Sequence, residues 1–337
     1  MSITLLYGCA QIEMSVSNLP TASAFMQNVL GAGKIEQQLA KEIGDLFPNG
    51  ELKIDHLGCG EAVFQFNEPS PAADYRGQKS VHQTYLDRIG SCVTNLNYFV
   101  DDAVHAHELL TGMGAQTYLE GPSSAARCLA DYGRENTRPG GDTRPFYFIG
   151  SRDLIGLDLE LMEPNFQRFT KQTIQYPCFV QPRPATGEGS LRLLRLKLVV
   201  RDLEETYRNL VKILSPGSRS KPYDIREGSL ARAFRIGIGG IELEYCQPLS
   251  QKGDLAGKLD RYGPGVIAVE FGARAPDLIL GRAYGSALPN FVEETDLLGV
   301  EGLAGRNSGR YQCASRDLIG FDVVLEPLDE GLFVGHA

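Results

Sequence analysis

The chain has no tryptophan and only five histidines in 337 residues. The shortage of histidine limits metal chemistry, because imidazole is the commonest neutral ligand for zinc, iron and nickel. Seven cysteines are scattered at 9, 59, 92, 128, 178, 246 and 313, with an odd count and no CxxC pair. That pattern excludes a disulfide framework and a thiolate zinc cluster, and it fits free thiols in a reducing cytoplasm. No run of Lys and Arg occurs. A net charge of −9 and a pI near 5.2 argue against nucleic acid or an anionic membrane as partner. The opening MSITLLYGCAQIE has no basic start and meets Glu13 too early for a signal peptide or a membrane span. There is also no GxSxG, no Walker loop, and no Cys with a His nearby in sequence. The glycine-rich RIGIGGIELEY leads from one strand into another, which makes it a hairpin turn and not a dinucleotide loop.

What is present is a pattern that restarts. Apolar and charged fractions of 42% and 22% are ordinary for a globular chain, and the length suggests two domains. QIEMSV alternates as a half-buried strand does. Asn18 then caps a helix to about Leu30, with Ala22, Phe25, Met26 and Val29 on one face. LKIDHL and AVFQFN follow as strands around a tight GCGE turn. The order repeats from NLNYFV with the helix DDAVHAHELLTGMGA, again from LRLKLVV with DLEETYRNLVKIL, and a fourth time from GVIAVEF with DLILGRAYGSAL. Residues 165–190 lack periodicity and hold three prolines, so they read as a linker. The expected layout is a first domain over 1–168, a linker over 169–190 and a second domain over 191–337. SRDLIGLDLELMEP (Ser151 to Pro164) returns as SRDLIGFDVVLEP (Ser315 to Pro327), 164 residues on, which points to an internal duplication. The acid does not return: Glu160 corresponds to Val324.

QIEMSVSNLPTASAFMQNVLGA, DDAVHAHELLTGMGA and the strand ending LDLELMEP resemble the vicinal oxygen chelate superfamily of glyoxalases, bleomycin-resistance proteins and extradiol dioxygenases. The resemblance spans about 8 to 328 and rests on the pattern of elements. It implies an α+β fold: tandem βαβββ modules forming two curved, cup-shaped mixed sheets with helices outside. Association of two chains into a homodimer is a further expectation of it. Family members that use a metal hold it inside the cup, with ligands from each opening strand and a Glu near the end of each closing strand. Those positions fall on Gln11, Asn95, Gln65 and Glu160 in the first half and on Arg195, Ala268, Glu244 and Val324 in the second. None is His. Gln11 and Glu160 are a remnant of a metal site, and Arg195 would repel a cation. The expectation is no metal cofactor, with a divalent metal in the first cup as the lesser alternative. Of the five histidines, His105 and His107 diverge on the second helix and are placed at the surface. His82 falls in a connector, His336 in the tail, and His56 on a strand beside the first cup, as a satisfied strand residue or a cup-facing acid/base.

Alternation sends Ile12, Met14 and Val16 under the helices and leaves Gln11, Glu13 and Ser15 lining the cup. Asn95, Asn97 and Phe99 join them from the second module, and Asp158, Glu160 and Met162 from its closing strand. Glu160 is the expected principal acid/base, with Glu13 second and His56 third, because a carboxyl in such a pocket has a raised pKa. Gln11, Gln65, Asn95, Asn97 and Phe99 are the expected substrate contacts there. In the second cup Arg195 and Lys197 meet Glu242, Glu244 and Glu270. Either the charges pair off or Arg195, with Glu244, binds a ligand carboxylate or phenolate. The expected function is a metal-independent lyase or isomerase acting on a small oxygenated compound, aromatic ones among the candidates. The alternatives are a protein that binds a small molecule without chemistry and a metal-dependent glyoxalase- or dioxygenase-like enzyme with altered ligands.

Overall fold

In a computed structural model of the chain, the described residues are 2–6, 8–34, 52–60, 62–70, 74–75, 78–118, 146–162, 190–214, 216, 218–225, 230–286, 288–293 and 310–328. The first module comprises β1 (Gln11–Ser15), α1 (Leu19–Asn28), β2 (Gly33–Lys34), β3 (Leu52–Cys59) and β4 (Ala62–Pro69). A short hairpin of β5 (Asp74–Tyr75) and β6 (Gln78–Lys79) and the helix α2 (Val81–Ile89) lead to the second. That module comprises β7 (Cys92–Phe99), α3 (Ala103–Gly112), β8 (Gln116–Thr117), β9 (Phe146–Gly150), the one-turn α4 (Arg152–Ile155) and β10 (Asp158–Met162). The third holds β11 (Leu191–Val199), α5 (Leu203–Leu214), β12 (Tyr223–Ile225), β13 (Ala231–Ile238) and β14 (Ile241–Pro248). After α6 (Asp254–Tyr262) the fourth holds β15 (Gly265–Ala273), α7 (Pro276–Tyr284), β16 (Phe291–Glu293), β17 (Tyr311–Cys313), α8 (Arg316–Ile319) and β18 (Asp322–Pro327).

Each pair of modules shares one eight-stranded mixed sheet, ordered β2-β3-β4-β1-β7-β10-β9-β8 in the first half and β12-β13-β14-β11-β15-β18-β17-β16 in the second. The opening strands of the paired modules meet antiparallel at the centre of each sheet. The architecture is the α+β arrangement of tandem βαβββ units. Its local causes are visible in the sequence. The Asn18 side chain accepts the Thr21 N–H at 3.0 Å, and α1 buries Ala22, Phe25 and Met26 in one core with Ile12 and Met14 of β1 and with Val16 just after it. Asp202 caps α5 in the same way, accepting the Glu205 N–H at 2.9 Å.

The two halves share that core. The Phe64 ring lies 6.0 Å from Phe271 and 5.8 Å from Phe321, and the Leu193 N–H donates to the Gly60 carbonyl at 2.8 Å. The repeated SRDLIG forms one helical turn in each copy, closed by a left-handed glycine, Gly156 at φ 77° and Gly320 at φ 92°. These turns are the joint. A Cβ on Gly156 would stand 2.8 Å from Val200, and one on Gly320 would stand 2.8 Å from the Cys92 backbone. Each copy therefore docks on the other half: α4 against α5, and α8 against α1 and β7.

Residues 81–89 and 254–262, to which the sequence pattern assigns no element, are helices. Two expectations are corrected. His107 is not at the surface: it is buried, stacked on Tyr147 at 4.4 Å, with its Nε2 2.8 Å from the Thr117 hydroxyl. His82 is not merely a connector residue, because α2 carries it to the first cup. The expected linker 169–190, all but Ser190, lies outside the described residues, as do Cys128, Cys178, His336 and the side chain of Met162. Among the described residues no helix is long and apolar enough to cross a membrane.

Candidate functional site

The first cup is built around Glu13. With Ile12 and Met14 committed to the core, Gln11, Glu13 and Ser15 project from the opposite face of β1. Strand register sets their neighbours: Glu13 lies between Gln65 of β4 and Asn95 of β7, Gln11 is opposite Asn97, and Asn97 is beside Glu160 of β10. Each of these side chains is buried.

Donors converge on Glu13. Its Oε1 accepts from Gln65 Nε2 and Asn67 Nδ2, both at 2.8 Å, with His82 Nε2 at 3.4 Å. Its Oε2 accepts from Asn95 Nδ2 at 2.8 Å. Asn95 Nδ2 also reaches Glu160 Oε2 at 3.0 Å and Asn97 Oδ1, while Asn97 Nδ2 donates to Gln11 Oε1 at 3.0 Å. Gln65 spends its amide nitrogen on Glu13 and Asn67, so its carbonyl oxygen is left to accept from His56 Nε2 at 2.8 Å. His56 is thereby fixed as a donor on that nitrogen. Burial lowers its pKa and outweighs the opposing Gln65 hydrogen bond and the Glu13 and Asp55 charges.

Glu160 and Glu13 form a carboxyl pair. Burial, then the Glu13 charge and a hydrogen bond with it, push the Glu160 carboxyl well above the usual range, and the Asn95 and Asn97 hydrogen bonds do not offset this. Two carboxyls this close hold one proton between them. The amide donors of Gln65, Asn67 and Asn95 gather on Glu13, and Glu160 is the carboxyl that its surroundings bias toward protonation.

The remaining expected residues divide. Phe99 follows Asn97 on the same face of β7 and is buried. Asp158 shares the face but is committed, accepting from the Arg152 backbone N–H at 2.8 Å, Arg152 Nε at 3.2 Å and the Tyr85 hydroxyl. Arg195 and Glu244 belong to the other sheet and do not reach this cup. There the register aligns Arg195 with the place of Gln11, Lys197 with Glu13, Glu244 with Gln65, Ala268 with Asn95, Glu270 with Asn97 and Val324 with Glu160. The charges pair off. Arg195 bonds Glu242 at 3.0 Å and also Glu270, whose other oxygen takes Arg310 at 2.6 Å. Arg235 bonds Glu244 at 2.8 Å and Lys197 stands 3.8 Å from it. Burial raises the Glu244 pKa, but Lys197, Tyr223 and Arg235 together hold it below the ordinary carboxylate value.

A resident iron or zinc ion would need a set of anionic and imidazole donors turned to one point. In the first cup the carboxamides and carboxylates are turned on one another, and His56 is spent on Gln65. Among the described residues no three of His, Cys, Asp and Glu come together as a set able to hold a metal ion. These residues do not fit such a centre.

Sequence reading missed His82 and Asn67. Asn67 was within reach, since it alternates with Gln65 on one face of β4. His82 had a signal too: Ser80-Val-His-Gln83 is a capping-box spacing, and the Ser80 hydroxyl does accept the Gln83 N–H at 3.0 Å.

A central antiparallel pair of opening strands, flanked by the closing strands of two βαβββ modules, defines the vicinal oxygen chelate fold, and this chain has that fold twice over. Neither a protein-family model nor a curated protein matches the sequence. Among solved structures, the chain is similar to a triple mutant of 4-hydroxymandelate synthase from Streptomyces coelicolor. The TM-score is 0.56 at 15% identity, covering 96% of this chain and 94% of that one. It is also similar to a xylose isomerase-like TIM barrel/4-hydroxyphenylpyruvate dioxygenase fusion protein, at TM-score 0.50 and 15% identity. That match covers 99% of this chain and 50% of the other. Likeness at this identity establishes the fold and leaves the chemistry to the site.

Proposed function

We propose that the first cup is the acid/base site of a metal-independent lyase or isomerase acting on a small oxygenated compound. The observation that carries this reading is the Glu13–Glu160 pair: amide donors gather on one buried carboxyl, and burial beside it biases the other toward protonation. The pair supplies both halves of a proton transfer. Glu13 removes a proton from a carbon next to a carbonyl, in an isomerisation or elimination, or from a hydroxyl in a retro-aldol step. Glu160 delivers one to the carbon or oxygen that gains electron density. The pair ends with its proton on Glu13, and moving it back to Glu160 restores the starting state. Gln11, Asn95 and Asn97 provide carboxamides for the substrate's oxygens, in exchange for the hydrogen bonds they now make to one another. Phe99 offers a ring face. The aromatic, oxygenated compounds named for the two similar structures support the same substrate class.

A second reading is a protein that binds its ligand without turnover. The closed hydrogen-bond network favours it, because a cup so completely satisfied is a preformed polar frame. The two readings part in one experiment. A panel of small hydroxy- and oxo-compounds, aromatic members included, is incubated with the protein in D2O and followed by NMR. The acid/base reading expects deuterium incorporation or new product, lost in both Glu13→Gln and Glu160→Gln. Saturable binding with neither exchange nor product supports the binding reading and removes the first.

A further inference from the structure

The helix α2 crosses one end of the first cup and sends His82 between two cup residues. Its Nδ1 lies 3.0 Å from the Ser15 hydroxyl and its Nε2 lies 3.4 Å from Glu13 Oε1. Its side chain is 12% exposed against 4% for Glu13, so it stands on the solvent side of the carboxylate.

We infer that His82 is a proton relay between Glu13 and solvent. The inference rests on the acid/base reading above, since a relay has work only if Glu13 gains and loses a proton. Both partners of the ring can reverse their roles. A hydroxyl donates or accepts, and a carboxyl accepts when ionised and donates when protonated. With Glu13 ionised, Nε2–H donates to it and Ser15 O–H donates to Nδ1. A proton enters when Nδ1 takes one from solvent by way of the Ser15 hydroxyl or water and Nε2 gives its own to Glu13, which leaves Nδ1–H donating to Ser15 and the Nε2 lone pair accepting from Glu13. Glu13 then passes its proton to Nε2, the Nδ1 proton leaves by way of the Ser15 hydroxyl or water, and a neutral imidazole remains. One proton enters and one leaves. His56, the other histidine of the cup, faces the Gln65 carbonyl, which can only accept, and it has no such freedom on that nitrogen. Burial lowers the pKa of His82 against the pull of Glu13, which leaves the ring neutral and ready to accept.

The second cup shows what this position looks like when it only packs. The helix α6 occupies the place of α2. Lys258 bonds Asp322 at 2.8 Å where Tyr85 bonds Asp158, which sets Leu255 in the place of His82. Leu255 packs with Val199, Cys246 and Ile267, the register counterparts of Ser15, Asn67 and Thr94. An apolar plug therefore suffices to seat the helix. The polar set in the first cup is an expense that seating the helix does not require, since a buried polar group costs stability unless bonded.

The test follows the carboxyl proton and requires no substrate. Infrared spectroscopy of the full chain detects the C=O stretch of a protonated carboxyl, and Glu160→Gln identifies it by removing the band. After rapid transfer to D2O, the rate at which that band shifts reports exchange of the proton with solvent. His82→Gln keeps an amide donor toward Glu13 but cannot titrate. The relay expects it to slow the shift on the order of a hundredfold, the lower range of what a positioned acid/base contributes. Ser15→Ala is expected to slow it by less, with His82 in place. His82→Asn serves if the Gln variant loses its thermal unfolding transition. A shift at the wild-type rate in a folded His82 variant overturns the relay and leaves the acid pair intact. A wild-type spectrum with no band removable by Glu160→Gln overturns the acid pair itself, and the relay with it.

Discussion

The two cups share one scaffold and carry opposite chemistry. At matched positions, Gln11, Glu13, Asn97 and Glu160 of the first are Arg195, Lys197, Glu270 and Val324 of the second. The second cup neutralises itself: Glu270 lies between Arg195 and Arg310, and Glu244 against Lys197 and Arg235. The first surrounds a carboxyl pair with carboxamides that bring donors but no charge. A cup can thus be satisfied in two ways. Ion pairing spends its charges, whereas an amide frame supplies donors to a carboxyl pair and brings no countercharge.

The comparison is broken most severely by removing the acids. If the first cup is the reacting one, Glu13→Gln and Glu160→Gln each reduce turnover by about 10²–10⁴-fold on any substrate found by deuterium exchange, while Glu244→Gln leaves the rate within a few-fold. Steady-state kinetics of the three variants decide it. Stability is expected to respond the other way. Glu270→Ala removes a buried carboxylate from Arg195 and Arg310, which keep Glu242 and Glu326, and should cost about 1.5–3 kcal/mol in urea unfolding, with Glu13→Gln costing less.

The reciprocal joint offers a smaller effect. Gly320→Ala combines positive φ with a Cβ at 2.8 Å from the Cys92 backbone, whereas Gly90, at φ 72°, has nothing within 4 Å. The first should lose more than the roughly 1–3 kcal/mol of backbone strain alone, and Gly90→Ala no more than that strain. The smallest signal is in the pH dependence, where the cups differ in sign. The Glu160 pKa is raised in the folded state, so its contribution is full below the unfolded value, about 4.3, and is lost as pH rises through the folded value. The Glu244 pKa is lowered, so its contribution is present above about 4.3 and is lost as pH falls through the folded value. Unfolding free energies measured across pH should flatten on the alkaline side in Glu160→Gln and on the acid side in Glu244→Gln.

Much of this was legible in the chain. The fourfold strand-helix-strand order, the alternation of β1 and the return of SRDLIG give the modules and the polar face carrying Gln11 and Glu13. What was hidden depends on long-range placement. The sequence ranks Glu160 first and Glu13 second as acid/base, but which carboxyl receives the donors follows from the register of β4, β1 and β7. His107 reads as exposed because the ring that covers it, Tyr147, arrives 40 residues later. The helices α2 and α6 escaped notice because they stand outside the repeating strand-helix-strand order, although each carries a narrow apolar stripe, Val81, Tyr85 and Ile89 in one and Leu255 and Leu259 in the other. Each also reaches inward with one polar group, Tyr85 to Asp158 and Lys258 to Asp322.

The SRDLIG turns have one more consequence. A contact made twice, each half gripping the other with the same hexapeptide, is the isologous handshake of a symmetric dimer. Within one chain that handshake is unimolecular, and dilution cannot dissolve it. The second half is thus a permanently attached subunit. It must keep the surface that grips its twin, while its cup carries Val324 at the place where the first carries Glu160.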